Sequence, residues 1–185
     1  MHLKKINLYK KDLINQINNL SIINIKEINH LFMRTVINKK KILICGNGGS
    51  AANADDISND LMLGLNKSKI GLNIVSLSSN FAKISCIAND TDYSKIYSQQ
   101  IKSVGQKGDL LLVLSGSGNS KNIIRALEQA KKQNIKSLAL LGFDGGAAKK
   151  KCDEFLHFNT NNMQIAEDMQ MITMNMVMNY ISNNF

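Results

Sequence analysis

Apolar residues along this chain follow two different rhythms. Over residues 7–38, Leu13, Ile14, Ile17 and Leu20 recur at helical spacing, and Ile28, Leu31, Phe32 and Val36 do so again after a break near Ser21. This pattern predicts a helical hairpin. From Lys41 onward, short apolar runs alternate with amphipathic stretches. The runs Ile42–Cys45, Leu72–Leu77, Asp109–Leu114, Lys136–Leu141 and Glu154–Phe158 are predicted strands. Helices are predicted from Ser50 to about Leu63, over 80–104 as one or two pieces, over 120–133 and over 163–182. In the third of these, Ile123, Ile124, Leu127 and Ala130 share one face and lysines take the other. Strands that are apolar at nearly every position, each followed by a helix, imply a parallel sheet covered on both faces. The expected fold class is therefore α/β: a doubly wound, five-stranded parallel sheet with an N-terminal helical hairpin. No linker or internal repeat divides the chain, so 1–185 reads as one domain, with helices at 1–38 and an α/β core at 41–182.

Composition narrows the picture a little. At 185 residues and 44% apolar content, the chain can bury one sizeable core. No apolar run approaches the roughly 20 residues that span a bilayer. The stretch after Met1 is polar and amphipathic, unlike a signal sequence, so the cytoplasm is the expected location. The three cysteines, Cys45, Cys86 and Cys152, are widely separated and form neither a disulfide framework nor a zinc spacing. Cys45 and Cys86 lie in apolar runs and are predicted to be core residues. The net charge is +9. The lysines are spread along the chain apart from 39–41 and 149–151, without interleaved aromatics, so a dedicated nucleic-acid role is not expected. Abundant Lys, Asn and Ile with no Pro looks like coding bias.

Two loops carry the chemistry. Gly46-Asn47-Gly48-Gly49-Ser50 follows the first strand, and Ser115-Gly116-Ser117-Gly118-Asn119-Ser120 follows the third. Glycines such as Gly48 and Gly116 let the backbone approach a ligand closely. The unpaired N–H groups that open the next helix favour an anion, and the hydroxyls of Ser50, Ser115, Ser117 and Ser120 add donors. Neither loop contains a lysine, and no nucleotide P-loop or dinucleotide fingerprint is present. Several neutral hydroxyls at a helix N-terminus suit a terminal sugar phosphate.

The ordered segments Cys45–Ala54 (CGNGGSAANA), Ile87–Asp90 (IAND), Gly108–Ser120 (GDLLLVLSGSGNS) and Leu141–Gly146 (LGFDGG) resemble the SIS-domain family, in the branch of the D-sedoheptulose 7-phosphate isomerases. The resemblance runs from about Lys41 to Tyr180. It implies a flavodoxin-like sheet and a homotetramer with sites at subunit interfaces. It also implies phosphate held by Ser50, Ser115, Ser117 and Ser120, with Asn47, Asp90 and Glu167 close to the sugar.

The same resemblance exposes a departure. Family members move a proton between adjacent carbons with an acid and a base, often assisted by a divalent metal, usually zinc. They place a His and a Glu four residues apart on the helix after the first loop, and a Gln and a His on the last helix. The corresponding residues here are Asp56 and Asp60, then Glu167 and Asn175, with Gln170 where relatives often carry His. The histidines of this chain, His2, His30 and His157, lie elsewhere, and His157 is expected to pack in a strand. Asp60 is then the expected base. Asp56, Glu167, Asn175 or Gln170, with a metal or water, would do the rest; Asn175 takes the acid's position, although an amide cannot serve as a general acid. Asp56, Asp60 and Glu167 form a candidate set for Mg²⁺ or Mn²⁺ and a poor one for zinc. The last helix is apolar nearly all round and is expected to be buried at a subunit interface, so Glu167 and Asp168 at its start need a partner or a capping role. Two functions stay open. One is isomerisation of sedoheptulose 7-phosphate to D-glycero-D-manno-heptose 7-phosphate. The other is a non-catalytic SIS protein that binds a sugar phosphate or serves in assembly.

Overall fold

In the computed structural model, residues 2–64 and 73–184 are described. The N-terminal hairpin comprises α1 (His2–Asn18) and α2 (Ile22–Ile37). The break at Ser21 is a helix cap, because the Ser21 side chain accepts a hydrogen bond from the Asn24 N–H. The α/β core then runs β1 (Ile42–Gly46), α3 (Gly49–Gly64), β2 (Ile74–Ser76), α4 (Phe81–Asp90), a single 3₁₀ turn, and α5 (Ile96–Val104). It continues with β3 (Leu110–Ser115), α6 (Lys121–Lys132), β4 (Lys136–Leu141), α7 (Gly146–Lys151), β5 (Glu154–His157) and α8 (Met163–Asn184). Leu72, the expected first residue of the second strand, lies outside the described residues. Helix α7 has no counterpart among the expected elements.

The five strands are all parallel, in the order β2-β1-β3-β4-β5. Successive side chains on a strand point to opposite faces, and this splits the core in two. Ile42, Ile44, Leu110, Leu112, Leu114, Leu138 and Leu140 pack with α2, α3 and α8. Leu43, Cys45, Leu111, Val113, Ala139 and Leu141 pack with α5 and α6. Each such Leu or Ile contributes about 1.5–3 kcal/mol of burial, which is why the strands read as unbroken apolar runs.

Two polar anchors set the strand starts. Asp109 is buried at the foot of β3. It accepts hydrogen bonds from the backbone N–H groups of Lys41 (2.9 Å) and Gln106 (2.8 Å), and its carboxylate pairs with Lys41 Nζ at 3.0 Å. Asp153 accepts from the Ser137 N–H and hydroxyl at 2.7 and 2.8 Å, which ties down β4.

One core expectation is corrected. Cys86 is exposed, because α4 buries none of its residues; its thiol donates to Asp90 Oδ2 at 3.4 Å. Cys45 is buried as expected, and burial pushes its thiol pKa up.

The candidate active site at the sheet's switch point

Strand order reverses between β1 and β3, which pair directly. In open α/β sheets, ligands bind at the carboxyl ends of the strands at such a point. The two Ser/Gly loops leave β1 and β3 there and line one cavity of about 230 Å³. Its walls are Asn47, Gly48, Gly49, Ser50, Leu114, Ser115, Gly116, Ser117 and Ser120, closed from above by Met163 and Glu167 of α8. Larger clefts, of about 450, 380 and 330 Å³, lie at the opposite ends of the strands (Arg34, Lys40, Gly108), beside β5 (Asn24, Glu27, Phe155) and between α5 and α6 (Ser98, Lys102, Gln129). None of them is lined by either Ser/Gly loop, so the smaller cavity at the switch point is the candidate site.

The second loop is shaped by its own side chains. Ser115 Oγ accepts from the Gly118 N–H at 3.0 Å, and Ser117 Oγ accepts from the Asn119 N–H at 3.3 Å. Gly118 has φ +63° and sits where a Cβ would lie 2.6 Å from the Gly145 carbonyl carbon, so glycine is required there. Helix α7 clamps this loop: its Ala148 N–H donates to the Gly118 carbonyl at 2.9 Å, and its Ala147 N–H donates to Asn119 Oδ1 at 2.9 Å. Ser120 is the N-cap of α6, and its hydroxyl makes no capping hydrogen bond. Ser120 lines the cavity, and among the described residues its hydroxyl makes no hydrogen bond.

The first loop is organised around Asn47. Its amide forms a reciprocal pair with that of Asn122, at 2.9 Å in one direction and 2.7 Å in the other. The hydroxyls of Tyr93 (3.3 Å) and Tyr97 (3.4 Å) also reach Asn47 Oδ1. Tyr97 further donates to the Gly46 carbonyl, and burial raises its pKa. Asn122, Tyr93 and Tyr97 were not among the residues expected at the site. Asn122 carried the one usable signal: it is an amide two residues after the second loop, in the first turn of an amphipathic helix, and the structure buries it.

Glu167 belongs to α8 yet caps α3. Its Oε1 accepts from the Ser50 N–H at 3.1 Å. A Cβ on Gly49 would stand 2.5 Å from Glu167 Cδ and 2.6 Å from Oε1, so the carboxylate rests against the bare glycine. Asn53 fixes α8 in place, donating to the Glu167 carbonyl at 3.0 Å and to Gln170 Oε1 at 3.1 Å. The neighbouring Asp168 accepts from the Tyr9 hydroxyl, and this interaction raises the Tyr9 pKa to about 12. Both acidic residues at the start of α8 thus have the partner or capping role that an apolar helix demands.

The remaining expected residues stand apart within this chain. Asp56, Asp60 and Asn175 do not line the cavity, and all three are exposed. Asp90 is exposed at the end of α4, where hydrogen bonds from Asn89 and Cys86 hold its carboxyl below the usual range. His157 packs as expected, its Nε2 lying 2.8 Å from the Phe143 carbonyl. Among the described residues of this chain, no three His, Cys, Asp or Glu side chains come together as a metal requires, so Asp56, Asp60 and Glu167 are not assembled within one chain. Glu167 Oε1 is already engaged by the Ser50 N–H. With neither His nor Cys in the set, the residues present do not fit a zinc centre.

Comparison with known proteins agrees with this architecture. The SIS domain family matches residues 9–142. The chain is 35% identical over 161 residues to a phosphoheptose isomerase from Helicobacter pylori, covering 87% of this chain and 84% of that one. It is 33% identical over 162 residues to a phosphoheptose isomerase from Nitratiruptor sp., covering 84% and 87%. The solved phosphoheptose isomerase from Francisella tularensis superposes with a TM-score of 0.93 at 26% identity, over 99% of both chains. The chain belongs to the SIS-domain family and, within it, to the phosphoheptose isomerases.

Proposed function

We propose that this protein isomerises sedoheptulose 7-phosphate to D-glycero-D-manno-heptose 7-phosphate. The observation that carries the proposal is the single cavity in which both Ser/Gly loops meet a carboxylate at the sheet's switch point. The Ser117 and Ser120 hydroxyls and the N-terminus of α6 hold the terminal phosphate. The locked Asn47 amide faces the sugar, and Glu167 lies over the first loop. The names of the related proteins support this reading.

We further propose that it works as an oligomer in the cytoplasm. Exposed apolar side chains on the N-terminal hairpin, among them Ile6, Ile14, Ile22 and Ile23, support association. No helix among the described residues is long and apolar enough to cross a membrane.

The absence of histidine at positions 56 and 175 favours one competing reading, a protein that binds the sugar phosphate without turning it over. A ³¹P NMR titration with sedoheptulose 7-phosphate separates the two. A shifted substrate resonance followed by a new product resonance is the expected result. A shift with no product over hours leaves binding alone, and no shift at all removes the phosphate site as well.

A further inference from the structure

Isomerisation of a ketose requires a group that carries a proton between two carbons, and sequence correspondence assigns that task to Asp60. The structure assigns it differently: we infer that Glu167 is the proton-carrying base of this enzyme. The inference rests on the isomerase reading above. Among the described residues lining the cavity, Glu167 alone is titratable. Its two oxygens are in different situations. Oε1 accepts the Ser50 N–H at 3.1 Å, which fixes the carboxyl group, whereas Oε2 lies nearest the bare face of Gly49 and receives no hydrogen bond among the described residues. Contact with Gly49 and the Asn53 bond to the Glu167 backbone hold the group over the first loop. A carboxylate held rigidly in the cavity of the phosphate loops, with one oxygen that accepts no hydrogen bond from the described residues, is the arrangement that proton abstraction needs. The exposed Asp60 has no such support within this chain.

The step balances without a cofactor. Glu167 Oε2 takes a proton from C1 of the ketose. The C–H electron pair becomes the C1=C2 bond, and the carbonyl pair moves to O2, which takes a proton from solvent. In the second half, O1 gives its proton to solvent and its electron pair forms the aldehyde carbonyl. The C1=C2 pair then recovers the proton from the Glu167 carboxyl at C2. The carboxylate is regenerated and no net proton is consumed.

The test is a ¹H NMR time course in D₂O with sedoheptulose 7-phosphate, following both the loss of C1 protons by exchange and the formation of aldose. Three proteins are compared: wild type, Glu167→Gln and Asp60→Asn. The amide introduced by Glu167→Gln keeps an acceptor for the Ser50 N–H, so the loop should hold its shape. The expected kcat of the Glu167→Gln protein is lower by about 100- to 10,000-fold, with KM within about threefold of wild type, and C1 exchange should fall in step. A purely structural role would raise KM and leave the exchange chemistry intact. Should Glu167→Gln misfold by circular dichroism, Glu167→Asp carries the test, with kcat expected to fall more than about tenfold while KM holds. Wild-type rates of exchange in either Glu167 variant overturn the assignment, as does loss of exchange in Asp60→Asn with Glu167→Gln unaffected. A wild-type protein that shifts the ³¹P resonance and converts nothing overturns the isomerase reading itself, and the role of Glu167 with it.

Discussion

Replacing Gly49 by alanine probes the contact on which the site turns. The added Cβ would stand 2.5 Å from Glu167 Cδ and 2.6 Å from Oε1, where unstrained contacts need roughly 3.5 Å. The carboxyl group must therefore retreat by about 1 Å, and the 3.1 Å bond from the Ser50 N–H is lost. A hydrogen bond to a charged group contributes about 1.5–3 kcal/mol. Alanine in a helix recovers about 0.5–1 kcal/mol relative to glycine. The net loss is about 1–2 kcal/mol, or about 3–6 °C in Tm for a chain of this size. In a Glu167→Ala background the clash is gone, so the same change should be neutral or stabilising by up to about 1 kcal/mol. A double-mutant cycle by urea denaturation should thus return a coupling of about 1.5–3 kcal/mol. Additivity within about 0.5 kcal/mol would refute the described placement of Glu167 against Gly49. Turnover gives an independent readout, since kcat of Gly49→Ala should fall while circular dichroism stays native.

Other substitutions separate ligand from scaffold. Ser120→Ala removes a hydroxyl with no capping bond, so stability should hold within about 0.5 kcal/mol while sedoheptulose 7-phosphate affinity, read by isothermal titration calorimetry, drops about five- to tenfold. Ser115→Ala should do more to the fold, because the Gly118 N–H loses its 3.0 Å acceptor, and thermal unfolding should register about 1–3 kcal/mol. Asp109→Asn strips the buried partner from Lys41 Nζ and should cost about 3–5 kcal/mol in chemical denaturation, with the phosphate loops unaltered in the protein that remains folded.

The parts of this molecule that sequence reveals are those governed by short-range pattern. Strands β1, β3 and β4 are buried on both faces, so their apolar runs could be read directly, and the loops that end β1 and β3 announced the site through glycine and serine. The Ser21 break held because a cap is a local event. The failures are equally physical. Helix α7 is a lysine-rich single turn and a half that begins at two left-handed glycines, Gly145 and Gly146, with no apolar period to detect. Cys86 sits among isoleucines that suggested a core, yet α4 buries none of its residues. Glu167 meets Ser50 across 117 positions of chain, and Asn47 meets Asn122 across 75. No spacing rule links such residues. Only the sheet order, which places β1 beside β3 and lays α8 over both loops, brings them together.

The central claim is conversion of a ketose phosphate at the cavity between β1 and β3. Its most direct test is to incubate the purified protein with sedoheptulose 7-phosphate, and separately with D-glycero-D-manno-heptose 7-phosphate, and to follow the anomeric proton of the aldose by NMR. Approach to one common ratio from both directions is the expected result, and it should be lost in Glu167→Gln. Static spectra from both starting sugars, with the protein folded and the phosphate bound, would contradict it.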